Sequence, residues 1–89
     1  MTVNEILRKA IQTYGEEAQE KVAIEECSEL IQAICHKHRG REHNIAEEIA
    51  DVKIMLEQLE LINDCSKQVD NIFAVKILML EKRLRENDR

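Results

Sequence analysis

Apolar residues recur along the chain at spacings of three and four, the period of a helix with one face turned inward. The first such run covers residues 2–13, where Ile6, Leu7, Ala10 and Ile11 share a face. Thr2 or Asn4 is placed to cap its start. Tyr14-Gly15 ends it, glycine being suited to the left-handed backbone past a helix end. A second run, from about Glu16 to His38, carries the stripe Ala23, Cys27, Leu30, Ile31 and Ile34. Lys37, Arg39 and Arg41 crowd its end, and Gly40 closes it. Two readings of that basic end stand side by side: cations that favour the helix macrodipole beside a glycine cap, and a basic loop placed to meet a phosphate tail. Asn44 opens a third helix, and Glu47 completes something close to a capping box. Its stripe is Ile45, Ile49, Val52, Leu56, Leu59 and Ile62, ending near Asn63-Asp64. Ser66 is a candidate N-cap for a fourth helix, where Val69, Ile72, Phe73, Lys76, Ile77, Leu80 and Leu84 follow at helical spacing. The tail from about Glu86 is polar and expected to fray. The pattern predicts one short and three longer helices.

Composition strengthens the helical reading. The chain has no proline and two glycines, Gly15 and Gly40, too few for the many turns of a strand-rich domain. The expected class is all-α, with residues 1–89 forming a single helical domain and a four-helix bundle-like protomer. A domain of this size buries only about 60–65% of its unfolded surface. Its only aromatics are Tyr14 and Phe73, so the core must be aliphatic. Part of that core is therefore expected in a second subunit, as a homodimer or homotetramer. Three cysteines without a C-x-x-C pair, and no signal-like start, suggest a reducing cytoplasm, with Cys27, Cys35 and Cys65 as buried or edge residues. No apolar run approaches the ~20 residues of a membrane span. A net charge of −5 argues against a nucleic-acid polymer as partner, though a small anion remains open if a metal and a few cations receive it.

The chemistry-bearing feature is an acidic pattern that occurs twice. Ala23-Ile24-Glu25-Glu26-Cys27-Ser28-Glu29-Leu30 aligns with Ile45-Ala46-Glu47-Glu48-Ile49-Ala50-Asp51-Val52. At about 100° per residue, Glu26 and Glu48 sit at the shoulder of their apolar stripes, with Glu29 and Asp51 just outside. Glu25 and Glu47 turn further towards water. Packing the two stripes together brings Glu26, Glu29, Glu48 and Asp51 into one cleft, where only protons or a cation relieve their repulsion. Hard divalent cations take such oxygen ligands, and Mg²⁺ also holds substrate phosphates. Either copy alone reads more simply as a solvated face; two in register, both beside the core, do not. Other carboxylate and nucleophile chemistries are closed. No Glu-x-x-His exists for a di-iron bundle, Cys35, His36 and His38 lack zinc-ligand spacing, and there is neither a Gly-rich phosphate loop nor G-x-S-x-G.

Glu25-Glu26-Cys27-Ser28-Glu29, a spacer of 18 residues, then Glu48-Ile49-Ala50-Asp51 resembles the E-E-x-x-E … E-x-x-D signature of the all-α nucleoside triphosphate pyrophosphohydrolases. That superfamily includes MazG-like proteins, dimeric dUTPases and phosphoribosyl-ATP pyrophosphatases. The words Glu-Leu-Ile-Gln-Ala-Ile and Ile-Ala-Glu-Glu-Ile-Ala-Asp-Val are similar to the short MazG-like type in particular. The likeness covers about Gln19 to Leu59 well and the flanking helices loosely.

The resemblance implies an oligomeric fold and Mg²⁺-dependent hydrolysis of a (d)NTP to (d)NMP and pyrophosphate, with Mn²⁺ as an alternative metal. It implies Glu26, Glu29, Glu48 and Asp51 as metal ligands. Glu25 and Glu47 stand behind them as candidate catalytic residues, and one of the cluster orients the attacking water. It further implies house-cleaning of non-standard or excess nucleotides. Lys76 and Arg83 resemble the Lys and Arg such proteins carry near their C-terminus, and Lys53 is a weaker candidate for the phosphates. Lys76 also reads as a lysine whose stem covers apolar surface. Gln19 is a candidate base contact, with a plain surface position as the simpler expectation. Two alternatives remain: phosphoribosyl-ATP pyrophosphatase-like activity, and a helical oligomerisation module without catalysis.

Overall fold

The computed structural model describes residues 1–87, of which 86% are helical, with no strand among them. The order is α1 (Val3–Tyr14), α2 (Glu16–His38), α3 (Ile45–Ile62) and α4 (Ser66–Asn87). Helix α1 starts at a complete capping box. Thr2 Oγ1 accepts from Glu5 N–H at 3.1 Å, and Glu5 Oε1 accepts from Thr2 N–H at 3.2 Å. One glycine joins α1 to α2: Gly15 N–H donates to Ile11 O at 2.8 Å, and Gly15 O accepts from Gln19 N–H at 3.1 Å. Its φ of 92° suits glycine alone, although its ψ of 151° lies outside the left-handed helical well expected from the sequence.

Helix α2 closes on Gly40, at φ 69°, with Gly40 N–H on Lys37 O and Arg41 N–H on His36 O. That doubled closure is the Schellman pattern, and His36, Lys37 and His38 occupy the negative end of the dipole. At the start of α3 the expected Asn44–Glu47 capping box is absent. The Asn44 amide instead donates to Glu48 Oε1 at 2.7 Å, because Glu48 is buried one turn on and needs a donor more than the exposed helix end does. Ser66 is the first helical residue of α4 rather than its cap; the carbonyl of Cys65 receives Val69 N–H at 2.9 Å. The fraying expected from Glu86 does not reach Glu86 and Asn87, which are helical, and residues 88 and 89 lie outside the described residues.

Helices α2 and α3 run antiparallel as a hairpin, and α1 lies against both. Their contact faces are turned relative to the expected stripes. On α2 the inward residues are Gln19, Ala23, Glu26, Leu30 and Ala33, while Cys27, Ile31 and Ile34 are exposed, Ile31 by 62%. On α3 they are Glu48, Val52, Met55 and Gln58, and Ile49 and Leu56 face out. The apolar arc of α2 is too wide to be buried whole. The side carrying Ala23 and Ala33 wins because small residues let the backbones approach, where Ile31 and Ile34 would hold them apart. Helix α4 touches only α3 and buries none of its residues. The expected four-helix packing is thus a three-helix core with one helix held apart from it.

Candidate functional site

The turn of α2 and α3 towards each other moves Glu26 and Glu48 from the shoulder of the stripe into the interface. Glu48 is only 6% exposed, and Glu26 is half-buried. One carboxylate oxygen from each of Glu26, Glu29 and Glu48 lies within 4.8 Å of the others. Asp51, the fourth expected member, stands outside that group of three, but its charge reaches both Glu26 and Glu48.

The electrostatics follow from burial. Desolvation pushes the Glu26 carboxyl above the usual carboxylate range. The nearby carboxylates of Glu29, Asp51 and Glu48 push it the same way. Glu48 is raised chiefly by desolvation too, with the Asn44 amide pulling it down and the charges of Glu29, Asp51 and Glu47 pushing it up. Two oxygens are left over: Glu26 Oε2 and Glu48 Oε2 are buried with no hydrogen-bond partner. Buried acceptors in native interiors are nearly always paired, so these two call for a proton or a cation. Ligand oxygens opposed across one Mg²⁺ are about 4.2 Å apart, against separations of no more than 4.8 Å in this cluster. The residues present fit a hard divalent cation.

The remaining candidates fall in different places. Glu25 and Glu47 are exposed on the outer sides of their helices, Glu47 near enough to raise Glu48. Lys53, Lys76 and Arg83 are exposed, and neither ion pair among the described residues includes them. Because α4 does not touch α2, Lys76 and Arg83 are not gathered at the cluster within one chain. Gln19 is not a surface residue; it is buried in the helical core seven positions before Glu26. Gln58, also buried and with its Oε1 unpaired, is a polar core residue that the apolar pattern does not mark. Asn44 was legible only as a cap; the signal for its contact with Glu48 is the spacing of four on a helix. Three surface grooves, of 880, 400 and 670 Å³, surround α1, the end of α3 and the start of α4, and none is lined by a cluster carboxylate.

No family model, curated protein or solved structure matches the chain. What resembles the pyrophosphohydrolases in this chain is the two motifs and their spacing alone.

Proposed function

We propose that this chain is a divalent-cation-dependent nucleoside triphosphate pyrophosphohydrolase, acting as a homo-oligomer and cutting a (d)NTP into (d)NMP and pyrophosphate. The observation that carries the reading is the pair of buried, unpartnered oxygens on Glu26 and Glu48, whose carboxyl groups come within 4.8 Å of each other from the two helices that bear the paired acidic motifs. Charge buried without a partner is costly to stability, and a site that binds an ion gives that cost a purpose.

Glu26, Glu29 and Glu48 would hold the ion, with Asp51 beside them. When bound, Mg²⁺ would neutralise polyphosphate charge and lower the pKa of a coordinated water. Asn44 fixes the orientation of Glu48 through its amide. Glu25 and Glu47, which face water, would accept a proton from the attacking water or orient it. Lys76 and Arg83 would receive the outer phosphates only if another chain brings α4 to the hairpin. Acting on phosphoribosyl-ATP would use the same residues; the panel of substrates decides between them.

The test is incubation of the purified protein with canonical and modified triphosphates and phosphoribosyl-ATP, with Mg²⁺ and with chelator, resolving pyrophosphate from orthophosphate. Metal-dependent pyrophosphate release is expected. Glu48→Gln should reduce it at least about 100-fold, since catalysis here is positioning and electrostatics, while helicity is retained. Mg²⁺ should also raise the melting temperature of the wild-type protein but not of Glu48→Gln. Orthophosphate as sole product means a different bond is cut, and no turnover together with no Mg²⁺-dependent shift in melting sinks the enzyme reading in favour of a non-catalytic module.

A further inference from the structure

The segment that joins α2 to α3 is as basic as the helices beside it are acidic. All three histidines of the chain, with Lys37, Arg39 and Arg41, lie between His36 and His43, and Glu42 is the only acid between Glu29 and Glu47. The next residue, Asn44, touches the carboxylate cluster through its 2.7 Å bond to Glu48. Lys37, Arg39 and Arg41 are exposed. Among the described residues they make no ion pair and no side-chain hydrogen bond. The dipole of α2 accounts for His36, Lys37 and His38 in its last turn. It does not account for Arg41 and His43, which stand just before the positive start of α3, where a cation is disfavoured.

The register of the hairpin sets this segment beside the cluster. Glu26 and Glu48 come within 4.8 Å of each other, so they stand level. Helix α3 begins three residues before Glu48, whereas α2 continues for twelve beyond Glu26. In an antiparallel pair both stretches run the same way, so α2 outruns α3 by nine residues, about 13 Å. Residues 39–44 return along that overhang. Ala33 records their path: it is only 2% exposed although it lies beyond the start of α3. Helix α1, with 12 residues, is too short to reach it from Gly15, and α4 touches only α3. The returning loop is what covers it.

Two sets of opposite charge therefore lie next to each other without pairing. One is a carboxylate cluster with two buried, unpartnered oxygens; the other is a loop with three unpaired cations. A metal ion satisfies only the first, and a simple anion only the second. A chain of phosphates carrying a divalent cation satisfies both.

We infer that Lys37, Arg39 and Arg41 receive the outer phosphates of a chain of three or more phosphates whose inner part lies on the carboxylates. The inference rests on reading the cluster as a divalent-cation site. It houses the phosphate tail within one chain, where α4 does not bring Lys76 and Arg83 to α2. It also sets the substrate class by phosphate number, since a shorter tail on the cluster loses the loop. Nucleoside triphosphates and inorganic polyphosphate both offer this chemistry.

The test reads binding rather than turnover. Calorimetry in Mg²⁺ should show that the full chain binds inorganic tripolyphosphate, and a nucleoside triphosphate with an uncleavable α–β imide bridge, at least about 10-fold more tightly than orthophosphate. Arg39→Gln with Arg41→Gln should weaken both at least about 10-fold, while keeping the rise in melting temperature that Mg²⁺ alone gives. Lys9→Gln with Lys21→Gln, which removes the same charge elsewhere, should weaken them less than about 2-fold. On the wild-type chain, whatever the variants do, phenylglyoxal labelling with peptide mapping should find Arg39 and Arg41 protected by Mg²⁺ and tripolyphosphate, and Arg8 and Arg85 not. Absence of tripolyphosphate binding overturns the inference. So do a loop variant that binds like wild type, and protection of Arg83 in place of Arg39 and Arg41. Failure of the pyrophosphohydrolase reading looks different: tripolyphosphate binds through the loop, but the nucleotide analogue does not and no triphosphate is cut. Turnover with unchanged KM in Arg39→Gln with Arg41→Gln does the reverse, keeping that reading and removing the loop from it.

Discussion

Asp64 ends α3 at φ 49°, the one non-glycine residue with positive φ among the described residues. Asp64 N–H donates to Leu61 O at 3.3 Å and Cys65 N–H to Glu60 O at 3.0 Å, the same doubled closure that Gly40 makes at the end of α2. A residue with a Cβ is held there at a cost, although Asp bears it better than most. Asp64→Gly is expected to stabilise the chain by about 0.5 kcal/mol, read as a higher urea midpoint at unchanged slope; a lower midpoint would mean the carboxylate contributes something glycine cannot. The buried glutamates make a second prediction at this scale. Burial, foremost, raises both Glu26 and Glu48, whereas in the unfolded chain each titrates near 4.3. The folded state then binds more protons than the unfolded one across the window above that value, and stability falls as pH rises through it. Glu29, Asp51 and Glu47 face these groups and add to the effect, and the Asn44 amide opposes it at Glu48. Without divalent cation, Glu48→Gln should therefore melt higher than wild type at neutral pH, since Asn44 can still donate to its Oε1. The gap should close as the pH falls to the unfolded carboxyl range. Equal melting temperatures at neutral pH would mean that the cluster carries no unrelieved charge.

At the scale of the helix, α1 depends on very little. Leu7 is its only buried residue, and Ala10 and Ile11 are half-covered. Leu7→Ala should cost about 2–3 kcal/mol in urea unfolding and open the α1 amides first in hydrogen exchange. Uniform loss of protection would show instead that α1 is not a separable unit. The helix boundaries themselves were legible in the sequence, because Thr2, Gly15, Gly40 and the Asn63-Asp64 turn are local signals with local causes. Which arc of α2 and α3 faces inward was not. From Val22 round to Ile31 the band that holds the small and apolar positions spans about half of α2, and periodicity cannot say which part of so wide a band is buried. The choice is made by Ala23 and Ala33, whose size matters only once a second helix is present. The same turn decides the site: the doubled motif nominated four carboxylates, and close packing gathers three of them while leaving Asp51 at the edge. Nothing local in α4 signals that it stands away from the core, since its stripe is as regular as any other.

For the molecule as a whole, the core is too small to be the end of the matter. Its buried apolar side chains are Leu7, Ala23, Ala33, Val52 and Met55, two of them alanines, and three polar residues share the interior with them. Folding must offset about 1–2 kcal/mol of backbone entropy for every residue ordered, and α4 orders 22 of them without burying one. If the missing burial lies between copies, folding and association are one reaction, and stability depends on protein concentration. Each tenfold dilution then removes about 1.4 kcal/mol per dimer. For a unit of two such chains, that lowers the melting temperature by about 3–6 °C. Melting curves followed by circular dichroism over a hundredfold range of concentration should shift downward in proportion to the logarithm of dilution. Phe73→Glu with Leu80→Glu should remove that dependence and melt where the most dilute wild-type sample does, or lower. A wild-type melting temperature that stays fixed across the range would mean that α2, α3 and α1 hold the fold alone, and that α4 is helical in water without a partner.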